Sequence, residues 1–171
     1  MEIRTVHLSL GSNIGDKTHI ISKAIQLIDS KVGNVIAISS LYETEALGFE
    51  SDELFNNCCI EIETDLSPTN LLHTNQLIEN ELGRVKTKHG EYESRKIDID
   101  IILYQNKIIE SKELTLPHLH FRERNFVLFP LEEIAKNTLD PITQLTISQL
   151  KKNSPDSTWI KRLKTSISLK K

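Results

Sequence analysis

Cysteine is scarce in this 171-residue chain, and its two copies, Cys58 and Cys59, are adjacent. In an extended segment neighbouring side chains point to opposite faces, so the two cannot bridge each other. A disulfide framework is excluded and a reducing compartment, the cytoplasm, is expected. Long apolar runs are also missing. No stretch approaches the roughly 18 residues of a membrane span, and Met1 to Leu10 lacks the apolar core of a secretory signal, so no membrane partner is expected. Glycine occurs six times, never as G-x-G-x-x-G. The run Gly11-Ser12-Asn13-Ile14-Gly15-Asp16-Lys17 misses the spacing of a phosphate-cradling P-loop. A nucleotide would have to be gripped by side chains and a metal. Aromatic residues number nine, and none builds the aromatic strand motif of RNA-recognition modules. With a net charge of -3, no nucleic-acid partner is expected. His118 and His120 lack a third soft ligand at a zinc-site spacing.

Apolar content of 38% and charged content of 26% fit an ordinary folded domain, and the length fits one domain over 1–171. Residues 151–171 hold seven Lys or Arg against the single acid Asp156, a balance of +6, which leaves -9 for the other 150 residues. This segment is expected to be a solvated basic tail, partly pinned by Trp159.

Val6, Leu8 and Leu10 alternate with His7 and Ser9 as a strand does. Asp16 then caps a helix whose apolar residues run from Ile20 to Ile28, closed by Gly33. Residues 34–44 are extended, 45–53 form a loop and 55–64 form another strand. Ser67-Pro68 opens a second helix, with Leu71, Asn75, Ile78 and Leu82 on its buried stripe up to Gly83. A strand through residues 97–103 follows, then a short strand near 107–109 and a helix within 125–136. The order strand, helix, strand, strand, helix, strand predicts an α+β fold, a ferredoxin-like αβ sandwich with a βαββαβ core, an antiparallel sheet and C-terminal additions. Two helices would cover one sheet face and leave the other free for ligands.

The segment Arg95-Lys96-Ile97-Asp98-Ile99-Asp100-Ile101 is the densest chemical signal. On a strand Asp98 and Asp100 share one face, roughly 6.5 to 7 Å apart along the chain, within reach of one hard cation or a close pair. Five cationic side chains, Arg84, Lys86, Lys88, Arg95 and Lys96, lie in the thirteen residues from 84 to 96. Positive charge feeding a carboxylate pair suits phosphoryl transfer, which depends on positioning and on neutralising charge. A plain half-exposed strand has the same alternation, and a metal-dependent phosphohydrolase using Asp98, Asp100 and His118 remains a rival. Phe55 and Phe126 suit either a core or stacking on a flat heterocycle, with Asn57 reading its edge.

Seven blocks in order resemble the 6-hydroxymethyl-7,8-dihydropterin pyrophosphokinase family. They are Leu10-Gly11-Ser12-Asn13, Tyr42-Glu43-Thr44-Glu45-Ala46-Leu47-Gly48, Phe55-Asn56-Asn57, Glu79 ahead of Gly83-Arg84-Val85, Arg95 to Asp100, Leu114-Thr115-Leu116-Pro117-His118, and Arg124-Asn125-Phe126. The resemblance implies pyrophosphoryl transfer from ATP to the pterin hydroxymethyl group, with AMP released. It implies that Asp98 and Asp100 hold two Mg²⁺ ions and that Lys86 and Arg95 assist the transfer. Glu79, Lys86, Arg95, Ile101, Thr115, His118 and Arg124 would line the ATP site. Asn13, Thr44, Leu47, Phe55, Asn57 and Phe126 would form the pterin pocket, and Tyr92 would cover it as an aromatic lid. Where relatives usually carry Trp-Gly-Pro-Arg, this chain has Tyr92-Glu93-Ser94-Arg95. A monomer acting on small molecules is expected.

Overall fold

A computed structural model describes residues 2–46, 53–83 and 96–169. Strand β1 (Arg4–Ser12) leads into helix α1 (Lys17–Lys31), followed by β2 (Asn34–Ile38), β3 (Tyr42–Thr44) and β4 (Phe55–Thr64). Helix α2 (Pro68–Glu81) then precedes β5 (Asp98–Tyr104), the short β6 (Ile109–Glu110) and β7 (Thr115–Leu116), α3 (Asn125–Ala135), α4 (Ile147–Lys152) and β8 (Ile160–Arg162). The main sheet runs β5-β1-β4-β3-β8, with β2 also on β4, and every pairing in it is antiparallel. The extended stretch 34–44 is thus two strands, β2 and β3, each paired with a different part of β4.

The helix starts are local chemistry. Asp16 accepts from the His19 N–H at 3.1 Å, Ser67 accepts from the Asn70 N–H at 3.3 Å, and Pro68 stands in the first turn of α2, where its missing N–H costs nothing. Gly83 takes the left-handed conformation expected just past a helix, with φ 89°. Gly33 serves differently. A Cβ there would lie 2.2 Å from the Glu63 carbonyl oxygen, so glycine is needed because α1 and the end of β4 nearly touch.

Alternation along the strands splits the interior into two cores. Val6, Leu8 and Leu10 of β1, Cys58, Ile60 and Ile62 of β4, and Ile97, Ile99 and Ile101 beside or within β5 pack with Ile21, Ile25, Ile28, Leu71 and Ile78 of α1 and α2. The opposite face carries a second core in which Cys59, Ile102 and Leu103 meet Phe121, Val127, Leu128 and Leu131. The expectation of a sheet with one face left open is therefore corrected: α3 covers part of it. A bulge admits this arrangement. Leu8 pairs with Ile101 and His7 with Leu103, so Ile102 is the extra residue, and Ile102 and Leu103 both enter the second core. Each cysteine belongs to a different core, and both are free. Burial pushes the Cys58 thiol up to about 12 and raises Cys59 as well, which keeps both protonated and unreactive.

The C-terminal segment also departs from the expected solvated tail. β8 pairs with β3, and Leu163, Ile167 and Leu169 lean on the first core. Trp159 itself is 47% exposed, so strand pairing rather than the indole holds the segment.

Candidate active site

The sequence-predicted residues gather on the second sheet face where β1 ends and β4 and β5 begin. Antiparallel register sets Asp98 opposite Gly11 and Asp100 opposite Ser9. Gly11 in turn faces Asn57 across β4, and Asn57 faces Tyr42. Directly opposed residues project to one side. Asp98, Asp100, Ser9, Gly11, Asn57 and Tyr42 thus share a face, joined by Phe55 and Thr44, which oppose each other two pairs further along. Carboxylates at one edge of this surface and aromatic and amide groups at the other are separated by the smallest possible residue.

Asn57 is buried, and its carboxamide is oriented from two sides. The Nδ2 donates to Thr44 Oγ1 at 2.9 Å, while Oδ1 lies over Gly11, where a Cβ would come within 2.9 Å of it. Asn13, just past β1, is fully buried. Sequence reasoning does not single out Gly11 beyond its turn composition. The available signal is a glycine at the end of a strand pattern, which marks a close approach.

Glu79 projects from α2 and is 4% exposed. Its Oε1 accepts the Ile99 N–H at 2.8 Å, on the edge strand between the two aspartates. Ile101 points the other way, into the first core, so only its main chain borders the carboxylate face. Thr115 pairs with Glu110 in the small β6–β7 sheet, and the His118 N–H donates to the Ile102 carbonyl at 2.9 Å. This ties the segment 117–124 to β5 just past Asp100. Burial, then the neighbouring Arg124 and His120, push the His118 imidazole down to about 4, so it is neutral near pH 7. The Arg124 guanidinium lies 5.7 Å from the centre of the Phe126 ring, and Phe126 packs at the edge of the second core. The Val127 carbonyl is 3.6 Å from Cys59 Sγ, which sets the start of α3 over β4 two residues from Asn57. Leu47, Lys86, Tyr92 and Arg95 lie outside the described residues, as do Arg84 and Lys88.

Asp98 and Asp100 supply hard oxygen donors on one face beside a residue without a side chain. Among the described residues no group of three or more His, Cys, Asp or Glu is placed to hold a metal. Such a pair suits Mg²⁺, which commonly takes one or two carboxylates and completes its shell with phosphate and water. It suits zinc less, since zinc sites are built chiefly from three or four protein ligands that include nitrogen or sulfur.

Comparison with known proteins gives the arrangement its context. A family model for 7,8-dihydro-6-hydroxymethylpterin-pyrophosphokinase matches residues 7–136. The 2-amino-4-hydroxy-6-hydroxymethyldihydropteridine pyrophosphokinase of Porphyromonas gingivalis is 43% identical over 132 residues, 76% of this chain and 90% of that one. The Bacillus subtilis protein of the same name is 39% identical over 144 residues, covering 84% and 85%. Among solved structures, a Plasmodium falciparum HPPK-DHPS chain superposes with a TM-score of 0.71 at 16% identity, over 88% of this chain and 44% of that longer one, a likeness of fold. No helix among the described residues is long and apolar enough to cross a membrane. The chain therefore belongs to the 6-hydroxymethyl-7,8-dihydropterin pyrophosphokinase family, enzymes of folate biosynthesis that transfer pyrophosphate from ATP to that pterin.

Proposed function

We propose that the Asp98/Asp100 pair holds two Mg²⁺ ions at the ATP triphosphate, and that the Asn57 side of the same sheet face receives the pterin. The observation that carries this reading is the row Asp98–Gly11–Asn57 across β5, β1 and β4, which brings a carboxylate and a carboxamide onto one surface with a glycine floor between them. Mg²⁺ held by Asp98 and Asp100 would supply positive charge to neutralise the triphosphate and so favour in-line attack at the β-phosphorus. The protein's own groups do the positioning. Phe55 and Phe126 stack on the pterin, while Asn57, its orientation set by Thr44, reads the heterocycle's edge, with Asn13 and the main chain at Leu47 completing the pocket. Thr115, His118 and Arg124 receive the nucleotide on the β5 side, with Lys86 and Arg95 meeting the phosphates and Tyr92 covering the pterin. His118, neutral near pH 7, takes part as a hydrogen-bonding imidazole rather than as a cation. Glu79 and the main chain at Ile101 border the nucleotide, and Glu79 also steadies the strand that bears the carboxylates. Small molecules are the partners this reading requires, with the enzyme a monomer in the cytoplasm.

Product analysis tests the assignment. With ATP, Mg²⁺ and 6-hydroxymethyl-7,8-dihydropterin the protein forms AMP, and Asp98→Asn or Asp100→Asn lowers turnover by at least about 10²-fold, the scale of a lost central electrostatic contribution. Near-normal turnover in both variants would refute the metal role.

A further inference from the structure

Helix α3 begins at Asn125 between two residues assigned above to the substrates, Arg124 and Phe126, yet it has no local cap. The residue at its N-cap position, Arg124, makes no side-chain capping hydrogen bond. The cap comes instead from 31 residues downstream. Asp156 Oδ2 accepts the Asn125 N–H at 2.7 Å, and the Asp156 carbonyl accepts from Asn125 Nδ2 at 2.9 Å. The same carboxylate is held from its own side, Oδ1 accepting the Thr158 N–H at 2.8 Å, and Ser154 Oγ accepts the Asp156 N–H at 3.3 Å. Strand β8 then continues the segment and pairs with β3, where Arg162 Nε donates to Ser40 Oγ at 2.9 Å. A negative group at a helix start is favourable both as acceptor and against the helix dipole. Here the acceptor is delivered by a segment that is itself fastened to the sheet.

We infer that Asp156 is a positioning residue for pyrophosphoryl transfer: by gripping Asn125 from the C-terminal segment, it sets Arg124 and Phe126 where the nucleotide and the pterin meet. The inference rests on the reading that Arg124 and Phe126 contact substrates. Asp156 lies outside residues 7–136, the part that the family model matches, and is the one acid of 151–171. The mechanism is orientational. Two hydrogen bonds to Asn125 fix both main-chain position and side-chain amide, and the flanking residues inherit that position. Burial alone would raise the Asp156 carboxyl, but the hydrogen bonds from Thr158 and Asn125 outweigh it and leave the group below its ordinary value, so it is ionised at neutral pH and retains its full strength as an acceptor.

Steady-state kinetics on the full chain separate positioning from mere stability. Asp156→Ala raises KM for ATP and for the pterin about tenfold while kcat falls less, and Asp156→Asn, which keeps an oxygen acceptor, recovers both to within about threefold. Ser67→Ala removes the cap of α2, lowers Tm as cap losses do, and leaves both KM values unchanged. Arg124→Ala and Phe126→Ala raise the KM of ATP and of pterin respectively. If they do so while Asp156→Ala keeps wild-type KM values, the positioning role is overturned and the site reading stands. If neither direct variant changes either KM, the site reading falls and the inference falls with it. Should Asp156→Ala not fold, Asp156→Glu, which moves the carboxylate by one methylene, carries the test: a rise of at least threefold in KM supports the role and wild-type values overturn it.

Discussion

A methyl group added at Gly11 would sit 2.9 Å from Asn57 Oδ1, and the atom it meets is the end of a side chain rather than main chain. The backbone can therefore stay in place while the carboxamide swings away from its bond to Thr44. Gly11→Ala is expected to lower unfolding free energy by about 1–3 kcal/mol, the cost of freeing a buried donor from its acceptor, and to raise KM for the pterin at least about tenfold, checked by urea titration beside initial rates. His118 has a different signature. Its ordinary value of 6.5 falls to about 4 in the fold, so between these values the unfolded chain binds more protons and stability drops as pH falls from about 6.5 towards 4. At about 1.4 kcal/mol per pH unit the contribution is bounded by roughly 3.5 kcal/mol, and partial exposure lowers it. His118→Gln should flatten that part of the stability-against-pH curve in thermal melts from pH 4 to 7. An unchanged slope would contradict the depressed basicity.

At the scale of elements, the edge strand β5 is held from both sides, by β1 through the sheet and by α2 through Glu79 and the Ile99 N–H. Glu79→Ala removes the acceptor of a buried donor, which costs about 1–3 kcal/mol. Glu79→Gln keeps an oxygen there and should recover most of that in urea unfolding. Much at this scale is legible in the sequence. Alternation marks β1, β4 and β5, and Asp16 and Ser67-Pro68 mark the starts of α1 and α2, because capping is chemistry between residues three apart. The break between β2 and β3 is not legible. It depends on Ser39, whose Oγ accepts the Cys59 N–H at 2.9 Å, a contact across 20 residues. Gly33 is legible as a stop but not for its reason, since the approach of Glu63 is tertiary.

Across the whole molecule, two cores back one sheet, and the candidate site lies on the second face where β1 ends and β4 and β5 begin. The blocks carrying the family resemblance name the candidate site residues by themselves, because each is a short run whose chemistry is local. The site's assembly is hidden from them: Asp98, Gly11 and Asn57 come together only through strand register, and Asp156 reaches Asn125 only because β8 returns to β3. The same return makes the C-terminal segment structural. Removing residues 154–171 strips Leu163, Ile167 and Leu169 from the first core. At roughly 1.5–3 kcal/mol for each fully buried aliphatic side chain, even partial burial of the three sums to about 3 kcal/mol. That is a fall in Tm of about 6–12 °C for a chain of this size; a melt within 2 °C of the full chain would show the segment to be dispensable.

Counting bound ions decides the role of the carboxylate pair. With Mn²⁺ in place of Mg²⁺ and an ATP analogue whose α,β-bridge is not cleaved, electron paramagnetic resonance should report two ions per protein–nucleotide complex for the native chain. At most one ion is expected in Asp98→Asn/Asp100→Asn, with nucleotide kept near saturation. Two ions retained in that double variant would contradict the assignment of the metals to this pair.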